Sequence, residues 1–295
     1  MRHVLHIALL ALACLLAAAG WGCERTEEPE PQPGDFAGPQ RVTIQGYDDH
    51  AMEPFISRDG RYLFFNNSND PAVDTNLHWA ERIDDLTYQY RGEIGGVNTT
   101  SLEGVASMDQ DGAFYFVSTR SYDQTASTIY RGLFTSGTVS GVDLAPGVST
   151  ATPGTVNFDA EISPDGGTLY FVDSRFSASG QPQTADILVA TWNGAAFVRD
   201  SGSATIMEQV NTSKSLEYAP CISASGLELY FTRLEGSSPA IWGAARTDTS
   251  SPFGAPRRIT AATGFVEGPT LSPDDKSLYY HKRDGDRFVI YRVTR

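Results

Sequence analysis

The feature that most narrows what this chain can fold into is a tandem repeat. Five segments align: EPFISRDGRYLFFNNS from Glu53, EGVASMDQDGAFYFVSTR from Glu103, DAEISPDGGTLYFVDSR from Asp159, EYAPCISASGLELYFTR from Glu217 and EGPTLSPDDKSLYYHKR from Glu267. Their turn positions, Asp59, Asp111, Asp165, Ser225 and Asp274, recur at intervals of 52, 54, 60 and 49 residues. That period matches one four-stranded unit of a radial β architecture.

Each unit repeats the same local chemistry. A short apolar strand meets a turn at Asp59-Gly60, Asp111-Gly112, Asp165-Gly166 or Ser225-Gly226, read as the dipeptide of a two-residue hairpin that needs positive φ. The next strand is dense in aromatic and branched residues, at 62–65, 114–117, 169–172, 229–231 and 278–280. Apolarity without alternation means that both faces are covered, as when blades pack face to face around an axis. Third strands follow at 77–80, 128–132, 186–192, 240–245 and 288–293, and more polar fourth strands at 88–94, 138–144, 197–203 and 256–260.

The fifth unit has no fourth strand before Arg295. Pro39-Gln40-Arg41-Val42-Thr43, ahead of the first unit, resembles Pro256-Arg257-Arg258-Ile259-Thr260, the fourth strand of the fourth unit. Pairing this N-terminal strand with the last unit closes a ring and removes an open edge. The expectation is an all-β, five-bladed β-propeller of four-stranded antiparallel blades over residues 39–295; an open jelly-roll sandwich is the alternative.

Before the repeat, Met1, Arg2 and His3 precede an apolar run over 4–19, a charged start followed by an apolar core too short to span a bilayer. The run ends in Ala19-Gly20-Trp21-Gly22-Cys23, which resembles a bacterial lipobox. The resemblance implies cleavage of residues 1–22 and lipid on the Cys23 sulfur. The box departs from the usual pattern at Gly20 and Trp21, and Cys14 lies inside the apolar run. An ordinary cleaved signal without lipid is the alternative. Residues 23–38 are charged and proline-rich, the composition of a solvated tether. The formal charge of −14 does not suit nucleic acid. Cys221, in an apolar strand, reads as a small buried thiol.

Ser163-Pro164-Asp165-Gly166 with Leu169-Tyr170-Phe171 resembles the WD40-like repeat of the TolB type, also called PD40. Asn211-Thr212 with Glu217 and Pro220, and Asn98-Thr99 with Glu103, resemble the lead-in of envelope lipoproteins with that repeat. Asp274-Asp275, Ser225 and the lead-in before Asp159 depart from the pattern. The resemblance implies a non-enzymatic binding or scaffolding module for an envelope protein, peptide or glycan. Its only membrane attachment is the lipid, and Glu24 after Cys23 tilts the site to the outer membrane, facing the periplasm.

In that family the first strand of each blade lines a central channel. Just before it stand Glu53, Glu103, Asp159, Glu217 and Glu267. Read as a ring at one mouth, these acids hold protons, receive a basic group, or bind a cation, of which Ca²⁺ is the one that suits oxygen ligands. Read structurally, each caps its own loop by accepting backbone N–H bonds. No dedicated cofactor is expected. An enzyme of the five-bladed glycosidase kind, with paired channel carboxylates, is the alternative function, but no catalytic residue is assigned because no acid stands apart from the repeat set. Asp48-Asp49-His50 reads as a polar loop, and His78 and His281 as packing or rim residues.

Overall fold

The computed structural model describes residues 33–70, 74–177 and 182–295. The proposed signal and lipid site, including Cys14 and Cys23, lie outside the described residues. Part of the stretch read as tether packs on the blades: Pro33 is buried, and the Phe36 ring meets Tyr230 edge-on at 5.6 Å.

Strand β1 (Ala37–Arg41) pairs antiparallel with the C-terminal strand Arg287–Thr294, placing Gln40 opposite Arg292 and Arg41 opposite Tyr291. The ring is therefore closed by hydrogen bonds between the two ends of the described fold. Strand β2 (Thr43–Gln45) then leaves the last blade and runs parallel to the outer strand of the first. Blade 1 is completed by β3 (Met52–Ile56), β4 (Tyr62–Asn66), β5 (Leu77–Asp84) and β6 (Thr87–Glu93). Blade 2 comprises β7 (Glu103–Met108), β8 (Ala113–Ser118), β9 (Ile129–Thr135) and β10 (Thr138–Leu144), with a single-turn helix α1 (Tyr122–Thr125) in the β8–β9 loop. Blade 3 holds β11 (Thr155–Ile162), β12 (Thr168–Phe176), β13 (Pro182–Trp192) and β14 (Phe197–Arg199). After helix α2 (Ser203–Ile206), blade 4 holds β15 (Leu216–Ile222), β16 (Glu228–Glu235), β17 (Ser238–Ala245) and β18 (Arg257–Arg258). Blade 5 is β19 (Val266–Leu271), β20 (Ser277–Asp284), β21 (Arg287–Thr294) and β1. The fold is a five-bladed β-propeller.

The aromatic second strands explain why the blades stack. Along β4, Tyr62 and Phe64 enter the core shared with blade 2, while Leu63 and Phe65 enter the core shared with blade 5. Tyr115 of β8, Phe171 of β12, Phe231 of β16 and Tyr280 of β20 extend the pattern into a separate core at each of the remaining blade boundaries. Alternate residues face opposite neighbours, so every residue of the strand has to be apolar. Burying one such side chain is worth about 1.5–3 kcal/mol.

The turns differ from the two-residue hairpin read from the sequence. In blade 1 the N–H of Gly60 donates to the Ser57 carbonyl at 2.7 Å, and the Ser57 N–H donates to the Tyr62 carbonyl at 3.0 Å. Four residues therefore make the loop, and within it only Gly60 has positive φ. Asp59 acts through its side chain, accepting from the Ser57 hydroxyl at 2.5 Å and the Arg61 N–H at 3.0 Å. Blade 3 repeats this with Ser163 and Asp165, and blade 5 with Ser272 and Asp274. Asp275, standing where the others have glycine, takes φ 57°, a conformation that aspartate tolerates better than most residues.

Every inner strand carries a bulge at the same level. The register slips at Met52/Phe55, Gly104/Ser107, Phe158/Glu161, Tyr218/Cys221 and Glu267/Thr270. The residue after the first of each pair has positive φ: Glu53, Val105, Asp159, Ala219 and Gly268. A bulge re-aims the side chains on either side of it, and this sets the geometry of the channel.

Candidate functional site: the central channel

The bulges sort the five sequence-selected acids into three positions. Glu53 and Asp159 are the bulge residues, Glu267 lies one residue before its bulge, and Glu103 and Glu217 lie two before theirs. They are not equivalent members of one ring. The signal was in the spacing, because the acid stands six residues before Asp59 and Asp165, seven before Asp274, and eight before Asp111 and Ser225.

Glu103 and Glu217 are loop clamps. Glu217 accepts from the Thr212 N–H and hydroxyl, both at 3.0 Å, and from Arg233 at 2.9 Å. Glu103 accepts from the Thr99 N–H at 2.7 Å, the Thr99 hydroxyl at 2.8 Å, the Ser118 hydroxyl at 2.6 Å and Arg120 at 3.3 Å. The asparagine of each lead-in reaches the preceding blade. Asn211 accepts from the Ile187 N–H and donates to the Ile187 carbonyl, both at 2.9 Å; Asn98 treats Leu77 likewise. The Asn-Thr…Glu motif thus fastens one blade to the next.

The other three acids converge near one end of the channel with His281, which the sequence reading had placed as a packing or rim residue. The Glu53 N–H donates to Nδ1 of His281 at 3.1 Å, which leaves the proton on Nε2, 3.2 Å from Oε2 of Glu267. The other Glu267 oxygen accepts from the Tyr218 hydroxyl. Asn69 donates to Glu53 at 2.8 Å, and the Ala219 N–H donates to Asp159 at 2.8 Å. Gly268 packs closely against this cluster, and a Cβ there would lie 2.4 Å from Oε2 of Glu53.

Electrostatically the cluster holds more acid than its surroundings neutralise. Burial pushes the Glu53 carboxyl up; His281 and Asn69 oppose this, and Glu267 adds to it. Asp159 is held well above the usual carboxylate range, first by burial and then by Glu53 and Glu267. Burial pulls His281 down, but the two glutamates outweigh it and raise the imidazole. Among the described residues no three His, Cys, Asp or Glu side chains are disposed to hold a metal ion, and both ring nitrogens of His281 are already engaged.

Toward the turn end, the channel is crossed by a blade-specific ion pair that the sequence reading missed. Arg58 of blade 1 donates to Glu161 of blade 3 at 2.8 Å and to the Ile162 carbonyl at 2.6 Å. The same carboxylate accepts from the Ser107 hydroxyl of blade 2 at 2.9 Å and the Ile222 N–H of blade 4 at 3.3 Å. Glu161 corrects the reading that no acid stands apart from the repeat: the equivalent positions are Phe55, Ser107, Cys221 and Thr270. A charge where sister repeats carry neutral residues was the available signal.

The remaining candidates have structural partners. His50 accepts the Phe288 N–H through Nδ1 at 3.0 Å, and Asp49 accepts the His50 N–H at 2.7 Å, so this loop fastens blade 1 to blade 5. His78 stacks on Phe65 with centroids 5.5 Å apart, and burial lowers its pKa. Cys221 is buried and its thiol is pushed well up by desolvation.

The sequence matches no family model and no curated protein. Solved structures do resemble the fold. A TolB-type protein of Agrobacterium tumefaciens is 17% identical, covers 86% of this chain and 80% of its own, and superposes with TM-score 0.50. An endo-arabinase from Bacteroides thetaiotaomicron is 11% identical, covering 89% and 98%, with TM-score 0.56. A family 117 glycoside hydrolase from Zobellia galactanivorans is 10% identical, covering 90% and 91%, with TM-score 0.55. These likenesses establish the fold. At such identities the architecture is common to proteins of different function.

Proposed function

We propose that the protein is an envelope lipoprotein whose propeller binds or scaffolds a protein, peptide or glycan without turning it over. In this reading it is anchored through lipid at Cys23, on the outer membrane facing the periplasm. The observation that carries the non-enzymatic part is the enclosure of the channel acids. Glu53 and Asp159 are 7% and 6% exposed, and Pro54, Pro220 and Pro269 line the channel beside them. A glycosidase has to admit a sugar between its two carboxyl groups, about 5–9.5 Å apart, and these acids are instead packed against neighbouring strands. The TolB-type structural neighbour supports an envelope setting.

The test is crosslinking in intact cells followed by partner identification, with Cys23→Ser as control. A reproducible partner with the wild type, and palmitate labelling that Cys23→Ser loses, are the expected results. Absence of any reproducible partner counts against the scaffold reading.

A second reading rests on Glu53 and Asp159, two channel carboxyls of raised pKa on a fold shared with glycan hydrolases. It predicts release of product from envelope polysaccharide, lost in Glu53→Gln or Asp159→Asn. Turnover by the wild type displaces the first reading.

A further inference from the structure

Two arginines occupy equivalent places at successive blade boundaries, and only one of them has a counter-charge. Arg246 follows β17 and Arg295 follows β21. The registers match, with Trp242 opposite Arg258 as Tyr291 is opposite Arg41. The flanking sequences match as well: Phe253-Gly254-Ala255-Pro256 against Phe36-Ala37-Gly38-Pro39.

Each guanidinium makes the same three contacts. Nε of Arg295 donates to the Asp275 carbonyl at 2.8 Å, and Nε of Arg246 to the Gly226 carbonyl at 2.9 Å, both in the turn of their own blade. Arg295 reaches the Tyr230 hydroxyl of blade 4 at 3.1 Å, and Arg246 the Tyr170 hydroxyl of blade 3 at 3.0 Å. Arg295 lies over the Phe36 ring at 5.0 Å, and Arg246 over Phe253 at 4.4 Å.

The fourth contact distinguishes them. Arg295 is held by both oxygens of Glu228, at 2.9 and 2.6 Å. The residue equivalent to Glu228 in blade 3 is Thr168, since Glu228 pairs with Ala245 as Thr168 pairs with Thr191. Arg246 therefore keeps Nη1 without a protein partner and has no ion pair among the described residues, although it is only 6% exposed. Nη1 itself reaches solvent and is the open corner of an otherwise buried guanidinium. This guanidinium lines an open surface pocket with Gln209, Thr247, Ser251, Pro252 and Ala255, and the exposed Glu208 stands at its rim. Asp248, close by in sequence, is instead satisfied by Ser250 and Ser251.

We infer that the Arg246 pocket binds a carboxylate presented by a peptide, which supplies in trans the contact that Glu228 supplies in cis to Arg295. A planar guanidinium takes a carboxylate through two parallel hydrogen bonds, and the exposed Pro252 and Ala255 beside polar Gln209, Thr247 and Ser251 suit the mixed apolar and amide surface of a peptide. The site lies at the turn end of the blades, apart from Glu53, Asp159 and Glu267, and is independent of lipid anchoring. Failure of the crosslinking test leaves it standing, and its own failure leaves the scaffold reading intact.

The experiment follows N-acetyl-phenylalanine binding to the full chain by ligand-observed NMR, with its uncharged amide as control. The acid binds and the amide does not. Arg246→Lys, which keeps the charge but loses the fork, weakens binding about tenfold. Thr168→Glu places the carboxylate in cis, abolishes binding and raises the melting temperature. Equal binding of acid and amide overturns the inference, as does wild-type affinity in folded Arg246→Lys. Preference for D-glucuronate over the peptide acid overturns the assignment to a peptide.

Discussion

Glu217 and Asp159 lie in neighbouring inner strands and both are shut away from water, at 0% and 6% exposure, yet their surroundings are opposite. Glu217 meets Arg233 and two donors from Thr212. Asp159 has one backbone donor, from Ala219, and feels the negative charge of Glu53 and Glu267. The cause is a two-residue offset about the bulge, which turns Glu217 onto its own blade and Asp159 into the channel. A carboxylate on this fold is thus a fastener or a stored acid according to its position relative to one distorted residue.

The comparison can be broken most forcefully at the fastener. Glu217→Ala leaves Arg233 buried without its partner, and equilibrium denaturation is expected to show a loss of about 3–5 kcal/mol. Glu103→Ala is expected to cost less, because Arg120 is 22% exposed and can reach water. A larger loss for Glu103 than for Glu217 would contradict the account of the clamps. Next in size, Asn211→Ala strips Ile187 of a donor and an acceptor at the blade 3–4 boundary, for an expected loss of about 1–3 kcal/mol.

Burial raises the carboxyl of Glu217 as well, but there Thr212 and Arg233 oppose it; around Asp159 the neighbouring acids add to it. The carboxyl pKa values of Glu53 and Asp159 are raised in the folded state, so the folded protein holds protons that the unfolded chain releases. Their contribution is complete below the ordinary carboxylate pKa of about 4 and is lost as pH rises through the folded values. Melting temperature measured from pH 4 upward is expected to fall across that window, and Asp159→Asn to flatten the fall. The smallest effect concerns Asp159→Asn at neutral pH, where stability is expected to match or slightly exceed the wild type. A loss of more than about 2 kcal/mol would mean that the charge itself is stabilising and would dissolve the contrast with Glu217.

Much of the architecture was legible in the chain. Repeat period, aromatic second strands and the likeness of Pro39–Thr43 to Pro256–Thr260 are local signals. They favour a closed five-bladed ring over an open sandwich, because stacking face to face around an axis buries both faces of each second strand. The turns were legible in composition and not in geometry, since Ser57 closes a four-residue loop that Asp59-Gly60 alone does not reveal.

The site was legible as a set of acids and not as an arrangement. Sequence alignment on the acids treated Glu53, Glu103, Asp159, Glu217 and Glu267 as equivalent, whereas bulge register separates them. His281 enters the channel only because blade 5 lies against blade 1 once β1 closes the ring. Glu161 and Arg58 pair across 103 residues of chain, and Arg246 is recognised as unpaired only beside Arg295. The sequence by itself determined the number of blades and how the ring closes, because those rest on periodic burial and strand pairing. Which charges meet, and which are left without a partner, was decided by the tertiary structure, because electrostatic interaction depends on distances between residues that the chain brings together only when the blades are packed.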